Sequence, residues 1–355
     1  MADAATLPFV TVAIPCFNEE RHIERCIEDV FAQDYPADRM EILVGDGMST
    51  DRTREILADL AARSNGRLRV IDNPRRLQAA AMNEMIAVAR GDVIVRMDVH
   101  ARYAKDFVRQ CVAVLEETGA QNVGGSARPL AESWFQRAVC AALGSKLAVG
   151  GSAYRHPDAE GFTDTVFPGA FPRHVFDVVG MFDPNAITNE DAELNQRILR
   201  AGGRVYVSRR IVVHYFPRDS YAGLAKQYFK YGKGRARTLL KHKGLPTIRP
   251  MLPFFFVVGS AGLVATSAFH PLTPLVFGLY GAACLAEAVR VGRKHGWATV
   301  PVVASIFPVL HFSHGVGFAV GLVHYALHRD WPEQEAPKGT FTRPETTFTP
   351  AVAQA

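Results

Sequence analysis

The triplet Asp98-Val99-His100 closes the apolar run Asp92–Met97. Alternation along an extended chain puts the Asp98 carboxylate and the His100 imidazole on the same side. An oxygen and a nitrogen donor side by side suit Mn²⁺, and suit Mg²⁺ less well because that ion prefers oxygen. The competing reading makes Asp98 a helix cap and His100 polar surface. His214, at the end of a later apolar run, is a candidate third metal ligand or a partly buried histidine with a structural partner. Glu190-Asp191 opens a helix after Asn189. Acids suit a helix start on electrostatic grounds, and one carboxylate of such a pair can also serve as a general base within reach of an acceptor hydroxyl. Asp46, in Asp46-Gly47-Met48-Ser49-Thr50-Asp51, can accept hydrogen bonds from a nucleobase or ribose, with Ser49, Thr50 or Asp51 capping the next helix. Pro15, Phe17, Asn18 and Glu19 line the mouth of the first apolar run, where Glu19 or Glu20 can equally compensate a helix dipole. Arg76 can reach a pyrophosphate or remain a surface arginine. In Gln227-Tyr228-Phe229-Lys230-Tyr231-Gly232-Lys233-Gly234-Arg235, cations such as Lys230 and Arg235 can hold a leaving diphosphate. Aromatics such as Tyr231 can shape an acceptor site, unless the segment is only a headgroup-binding surface helix.

These residues need elements to hold them. Apolar runs at 9–15, 40–45, 68–72 and 91–97 read as strands. Helical spacing fills 18–32, 50–63 and 77–89 between them. Strict alternation of this kind argues for a parallel, doubly wound sheet, with the first motifs at the strand ends where such sheets bind ligands. Further on, 106–117 reads as a helix, 122–126 as a strand, 144–169 as loop and 175–179 as a short helix. The helix 191–201, the strand 204–213 and the basic helix 221–243 follow.

The chain has 355 residues and a net charge of +5, unevenly spread. Between Arg204 and Arg249 there are twelve Lys or Arg and one acid, Asp219, which leaves the remainder at −6. A basic belt before an apolar segment fits anionic headgroups or phosphates. No zinc-finger, RNP or helix-turn-helix pattern accompanies it, so nucleic acid is not an expected partner. No Lys, Arg, Asp or Glu occurs from Met251 to Ala286, or from Gly296 to His328. Segments near 251–269, 272–288 and 300–327 are long enough for a bilayer core of roughly 30 Å. The third holds Pro308 and several glycines, so a kink or a re-entrant path is expected there. Arg290, Arg293 and Lys294 form a positive loop expected in the cytosol. Five scattered cysteines without CxxC spacing read as reduced thiols. The N-terminal residues carry no basic stretch followed by a long apolar one, so no signal peptide is expected.

Taken in order, Asp98-Val99-His100, Tyr154-Arg155, Asp164-Thr165-Val166, Asn189-Glu190-Asp191 and Gln227-Tyr228-Phe229-Lys230-Tyr231-Gly232 resemble the family 2 glycosyltransferases with the GT-A fold. The likeness is to the membrane-anchored bacterial enzymes of succinoglycan-type exopolysaccharide synthesis, over about residues 9–243. It implies an α/β, Rossmann-like mixed sheet and an inverting sugar transfer from a nucleotide diphosphate sugar, with a UDP-sugar expected. The expected acceptor is a lipid-linked, polyprenyl-type saccharide. It implies Asp46 at the base, Asp98 at ribose or metal, and His100 as second ligand of Mn²⁺ or Mg²⁺. Asp191 takes the catalytic base position, and Gln227 and Lys230 match part of a Gln-x-x-Arg-Trp signature. The Asp-Asp pair usual after the second strand is Asp46-Gly47 here, and the signature's Arg-Trp is Lys230-Tyr231, which argues for single transfer over processive synthesis. A nucleotidyltransferase is the enzymatic alternative, but the place of its basic Gly-rich loop holds Asn18-Glu19-Glu20. A non-catalytic membrane scaffold is the other alternative. The expected organisation is a cytosolic catalytic domain over 1–245, a membrane domain over 246–328 in a bacterial-type inner membrane, and a polar, disordered tail over 329–355.

Overall fold

The computed structural model describes residues 7–150, 155–244, 247–267, 272–331 and 338–341. Tyr154, Phe269, Pro271 and most of the 329–355 tail lie outside them. Its contacts divide the chain into two units. The first comprises Met1–Arg128, His156–Tyr215 and Pro332–Ala355; the second comprises Pro129–Arg155 and Phe216–Trp331.

The first unit is built on one nine-stranded sheet. Its parallel half is β1 (Val10–Cys16), β2 (Met40–Asp46), β3 (Leu68–Asp72) and β4 (Val93–Arg96). Helices α1 (Ile23–Phe31), α2 (Thr53–Arg63) and α3 (Gln78–Val88) connect them. β1 and β2 are buried almost end to end, as strands covered on both faces must be. Their residues Val10, Val12, Ile14, Ile42 and Val44 pack with Ile23, Cys26, Ile27 and Val30 of α1 in the core. The sheet then turns antiparallel. The strands β5 (Ala101–Tyr103), β6 (Asn122–Pro129), β7 (Gly161–Thr163), β8 (Phe167–Pro172) and β9 (Val205–Tyr215) complete it. The order is β3-β2-β1-β4-β8-β6-β9-β5, with β7 on β9. The mixed sheet agrees with the GT-A expectation, and it corrects the purely parallel reading of the strand–helix alternation. It also corrects the loop expected over 144–169, which contains β7 and the start of β8. Between the strands lie α4 (Phe107–Thr118), α7 (His174–Val179) and α8 (Glu190–Arg200). Residues 338–341, expected within a disordered tail, instead lie against α7 and α8. Lys338 N–H donates to Val178 O and Phe341 N–H to Ala201 O, both at 2.9 Å.

The second unit is helical: α5 (Trp134–Leu143), α6 (Lys146–Val149), α9 (Tyr221–His242), α10 (Leu252–Ala265), α11 (Leu272–Gly292) and α12 (Val300–Leu327). The sequence placed a boundary near residue 245, whereas α9 groups with the apolar helices. The reason is a seam of small residues. A Cβ on Gly232 of α9 would stand 2.0 Å from His314 O, and one on Gly317 of α12 would stand 2.1 Å from Phe229 O. Only glycine lets the two backbones approach so closely. Nor is α9 a freely solvated basic face. Arg237 is buried and its Nε donates to Asp330 at 2.7 Å, and Lys233 and Arg237 both lie near the Tyr325 ring. α12 is one 28-residue helix with Pro308 inside it, not a re-entrant pair. Two stretches, Leu272–His295 and Trp297–Leu327, are long and apolar enough to cross a membrane; Arg249–Ala265 is shorter.

The seam gives a test by sign. Alanine has the higher helix propensity, by roughly 1 kcal/mol. Gly259→Ala of α10, where a Cβ meets nothing within 4 Å, is expected to leave or raise the thermal midpoint in detergent. Gly317→Ala drives a methyl into backbone and is expected to lower it, by overpacking of about 1–3 kcal/mol.

Candidate functional site

The ends of β1, β2, β3 and β4 carry Phe17, Asn18, Glu19, Asp46, Arg76, Asp98 and His100 among the residues that the sequence singled out. Among the described residues, four of the six non-glycine ones with left-handed backbone lie in these loops or just before α8: Asn18, Met48, Arg76 and Asn189. Such conformations cost free energy and concentrate where a fold positions functional groups.

After β1 and β2 the loops are laced together. Asn18 N–H donates to Ser49 Oγ at 2.8 Å, and Asn18 Oδ1 accepts from Thr50 N–H at 2.8 Å. Glu19 N–H donates to Thr53 Oγ1 at 2.7 Å. Pro15 sits within β1 opposite Gly45. Phe17 is exposed and packs over Gly47, with the Arg76 guanidinium 5.7 Å from its ring centre. Asp46 is wholly buried. Its oxygens accept from Ser49 N–H (3.1 Å), Ser49 Oγ (2.5 Å) and Arg54 Nη1 (2.6 Å). The carboxylate that the sequence offered to a nucleobase therefore organises its own loop, and Ser49 is drawn to Asp46 instead of capping α2. The α2 start is served by Asp51, whose Oδ1 accepts from Thr53 N–H at 3.0 Å. Arg54, which sequence reasoning missed, carries the Asp46 charge outward: it is 41% exposed and its other nitrogen reaches Asp72 at 2.9 Å.

The second missed residue is Arg96. It ends β4, is buried, and forks to three carboxylates. Its Nε donates to Asp98 Oδ1 at 2.9 Å, and its Nη1 to Glu190 Oε1 at 3.0 Å and Asp191 Oδ1 at 2.6 Å. Burial works against the Arg96 charge, but Asp191, Asp98 and Glu190 outweigh it and hold its pKa well above the ordinary arginine value. A signal for it existed in the sequence. An arginine in the apolar run Val93-Ile94-Val95-Arg96-Met97 belongs to a central strand, and a buried guanidinium requires acidic partners.

The fork brings Asp98, Glu190 and Asp191 together across more than ninety residues of sequence. The two acids at the start of α8 differ in access: the Glu190 side chain is 7% exposed and that of Asp191 25%. Burial first, and then Glu190 and Asp98, raise the Asp191 carboxyl to about 7 against the downward pull of Arg96. The Asp98 turn is pinned by the buried Tyr103, whose hydroxyl accepts from Asp98 N–H at 2.5 Å. Gln78 Nε2 approaches Asp98 Oδ1 at 3.4 Å.

His100 faces a different neighbour. Its Nε2 lies 2.7 Å from Glu19 Oε1, and its ring stands edge-on to that of His22 at 4.9 Å. Among the described residues, Glu19, His22 and His100 offer three donor atoms within 4.8 Å of one another, and His214 is not in that group. His214 is on β9 opposite Arg102 of β5, its Nδ1 buried without a partner and its pKa lowered by burial and by Arg128. The structure thus does not bring His214 to Asp98 and His100 as a third ligand. Gln227, Lys230, Tyr231 and Arg235 lie on α9 in the second unit, where Gln227 Nε2 donates to Tyr231 Oη at 3.0 Å. The five cysteines are free, four of them buried.

One guanidinium against three carboxyl groups leaves net negative charge at the end of β4, which favours a cation there. Asp98 retains lone pairs beyond those Arg96 uses, as a metal ligand needs.

The profile described as Glycosyl transferase family 2 matches residues 11–143. The succinoglycan biosynthesis protein ExoA of Rhizobium meliloti is 34% identical over 322 residues, 89% of this chain and 96% of that one. A dolichyl N-acetyl-alpha-D-glucosaminyl phosphate 3-beta-D-2,3-diacetamido-2,3-dideoxy-beta-D-glucuronosyltransferase of Methanococcus voltae is 29% identical over 325 residues, covering 89% and 97%. Among solved structures, the mannosyltransferase PcManGT from Pyrobaculum calidifontis, in complex with GDP-Man and Mn²⁺, superposes with a TM-score of 0.64 at 20% identity, covering 90% and 88%.

Proposed function

Since the chain belongs to glycosyl transferase family 2, we propose that it transfers one sugar, with inversion, from a nucleotide diphosphate sugar to a lipid-linked acceptor at a membrane. The observation that carries this reading is the Arg96 fork. It sets an accessible carboxylate with a pKa near neutrality beside a carboxylate able to hold a divalent ion. Asp191 is the general base: raised to about 7, it takes a proton from an acceptor hydroxyl at physiological pH. Glu190, buried at the helix start, stays on Arg96 and keeps α8 in place. Single displacement with inversion is the expected course, with Asp191 as base and cations taking the charge of the leaving diphosphate. Asp98 would hold Mn²⁺ or Mg²⁺, which when bound neutralises charge on the leaving diphosphate; the family resemblance makes His100 its second ligand, for which His100 would have to leave its Glu19 partner. Phe17 and Arg76 form an exposed aromatic–cation pair suited to a base and its phosphates, with Asn18 and Asp46 shaping the loop around them. The roles of Lys230 and Arg235 toward a diphosphate, and of Gln227 and Tyr231 toward an acceptor, rest on the family resemblance of the α9 segment.

The membrane acceptor is supported by the two apolar helices and by the dolichyl-phosphate substrate in the name of the Methanococcus relative. A multi-pass topology with the catalytic unit in the cytoplasm fits the positive loop Arg290–His295. The deciding experiment is a donor screen by nucleotide release, in membranes that contain lipid-linked saccharides and with UDP-sugars first. Release that depends on both donor and acceptor supports the reading, and release of pyrophosphate from nucleoside triphosphates supports a nucleotidyltransferase instead. His100→Asp is expected to retain transfer and to shift the metal preference from Mn²⁺ toward Mg²⁺, because an all-oxygen set suits the harder ion. Activity profiles against each metal check it, and an unchanged preference removes His100 from the donor's metal.

A further inference from the structure

Glu19, His22 and His100 are not explained by the transfer chemistry alone. Glu19 and His22 belong to one turn, in which His22 N–H and Ile23 N–H both donate to Glu19 O at 2.9 Å. That turn leads into α1 and brings a carboxylate and an imidazole three residues apart to one side. Glu19 is fixed from behind by Thr53 Oγ1 at 2.7 Å. The third donor arrives from the turn after β4, which is closed by Ala101 N–H to Asp98 O at 3.1 Å. His100 is 56% exposed and the Glu19 side chain 15%, so the group has a wall of protein on one side and solvent on the other. Three donors converge within 4.8 Å.

We propose that Glu19, His22 and His100 form a Zn²⁺ site, separate from the donor's metal at Asp98, and that zinc in it withholds His100 from transfer. Two imidazoles and one carboxylate are a ligand set that zinc takes with a fourth position left to water. Ligand atoms around a tetrahedral zinc, about 2.0–2.1 Å from the metal, stand about 3.3 Å apart. The three donors lie within 4.8 Å of one another, and the turn that carries Glu19 and His22 is held by backbone hydrogen bonds. Borderline-soft nitrogen ligands favour zinc over the Mg²⁺ or Mn²⁺ that an oxygen-rich site favours. His100 is common to both sites, and its Nε2 cannot serve two ions. Zinc is therefore expected to inhibit by competition for one side chain. The competition clause rests on the proposed glycosyl transfer; the zinc site itself does not.

The test uses the full chain in detergent, stripped with chelator and then titrated with Zn²⁺ against a chromophoric chelator. One equivalent is expected to bind, with X-ray absorption at the zinc edge showing two imidazoles and oxygen. His22→Ala and His22→Gln are each expected to weaken binding about 100-fold, with Mn²⁺-supported transfer at the wild-type level and no longer inhibited by zinc. The Gln variant guards against a folding defect at the α1 start. Absence of stoichiometric zinc, or zinc bound equally well by both His22 variants, overturns the site. Zinc bound through His22 that leaves wild-type transfer unchanged overturns the competition. A preparation that transfers no sugar yet binds zinc through His22 counts against the proposed activity and not against the site.

Discussion

Asp191→Asn is expected to cut turnover roughly 10²–10⁴-fold, the range for losing a positioned general base. Asn keeps the size of the side chain and an oxygen for Arg96 Nη1, now 2.6 Å from Asp191 Oδ1, so donor binding should change little. What it loses is basicity. The pH profile separates this from a positional defect. With the Asp191 pKa raised to about 7, wild-type kcat/KM should climb with pH through about 7 as the carboxylate becomes available. In the variant that acidic limb should vanish. Stability gives an independent check. Asp191 binds its proton more tightly folded than unfolded, where its pKa is about 3.9. Between about pH 4 and 7 the native state holds a proton that the unfolded chain has released, so stability falls as pH rises through that window. Above it the folded protein carries the cost of a partly buried anion. Asp191→Asn removes that cost, and its thermal midpoint at pH 8 should equal or exceed that of the wild type. Wild-type turnover in Asp191→Asn, an acidic limb that survives the substitution, or a product that retains the donor's anomeric configuration by NMR would each remove this mechanism.

The contrast between what the sequence showed and what it hid has physical causes. The parallel half was readable because β1, β2 and β4 are short apolar runs, buried on both faces and separated by helical periodicity. Their ends fell where the motifs were. β8 was hidden because Phe167-Pro168-Gly169-Ala170-Phe171-Pro172 carries two prolines and a glycine, which argue against a strand. It forms one nonetheless through antiparallel pairing with β4 and β6, a tertiary effect that no local pattern announces. α5 was overlooked although its signal was present. Ser133 and Gln136 make a capping box, in which Gln136 N–H donates to Ser133 Oγ at 3.1 Å. At the site, types and spacings named Asp98, Glu190 and Asp191 but not how they meet. Spacing along one strand assigned His100 to the side of Asp98. The chain instead turns after Met97, and His100 swings to Glu19 and His22. Alternation holds only while a strand lasts, and β4 ends at Arg96.

Arg96→Met is expected to be the most damaging single change to the fold of the first unit. The side chain is replaced by one of similar length without charge, and Asp98, Glu190 and Asp191 lose their shared counter-ion. Removing one partner from a buried ionic group costs about 3–5 kcal/mol, because the remaining charge stays uncompensated. Against a total stability of roughly 5–15 kcal/mol, such a loss shows as a large drop in the thermal midpoint. The direction with pH follows from the charges. Without Arg96, which pulls the Asp191 pKa down, that carboxyl binds its proton more tightly in the folded state, so the deficit should be largest at pH 8 and shrink toward pH 5 as it protonates. Arg96→Lys should recover only part of the loss, since one ammonium cannot reproduce the planar fork that reaches Asp98 through Nε and the α8 acids through Nη1. Because Arg96 also pulls the Asp191 pKa down, the acidic limb of any residual transfer by Arg96→Lys should move above about 7. A divalent ion brings positive charge to a cluster that has lost its guanidinium, so Mn²⁺ should raise the midpoint of Arg96→Met more than that of the wild type. Thermal melts of the full chain in detergent, at pH 5 and 8 and with chelator or Mn²⁺, decide the matter. An Arg96→Met protein as stable as wild type at pH 8, or a deficit that grows as pH falls, would show that the three carboxylates do not depend on this arginine.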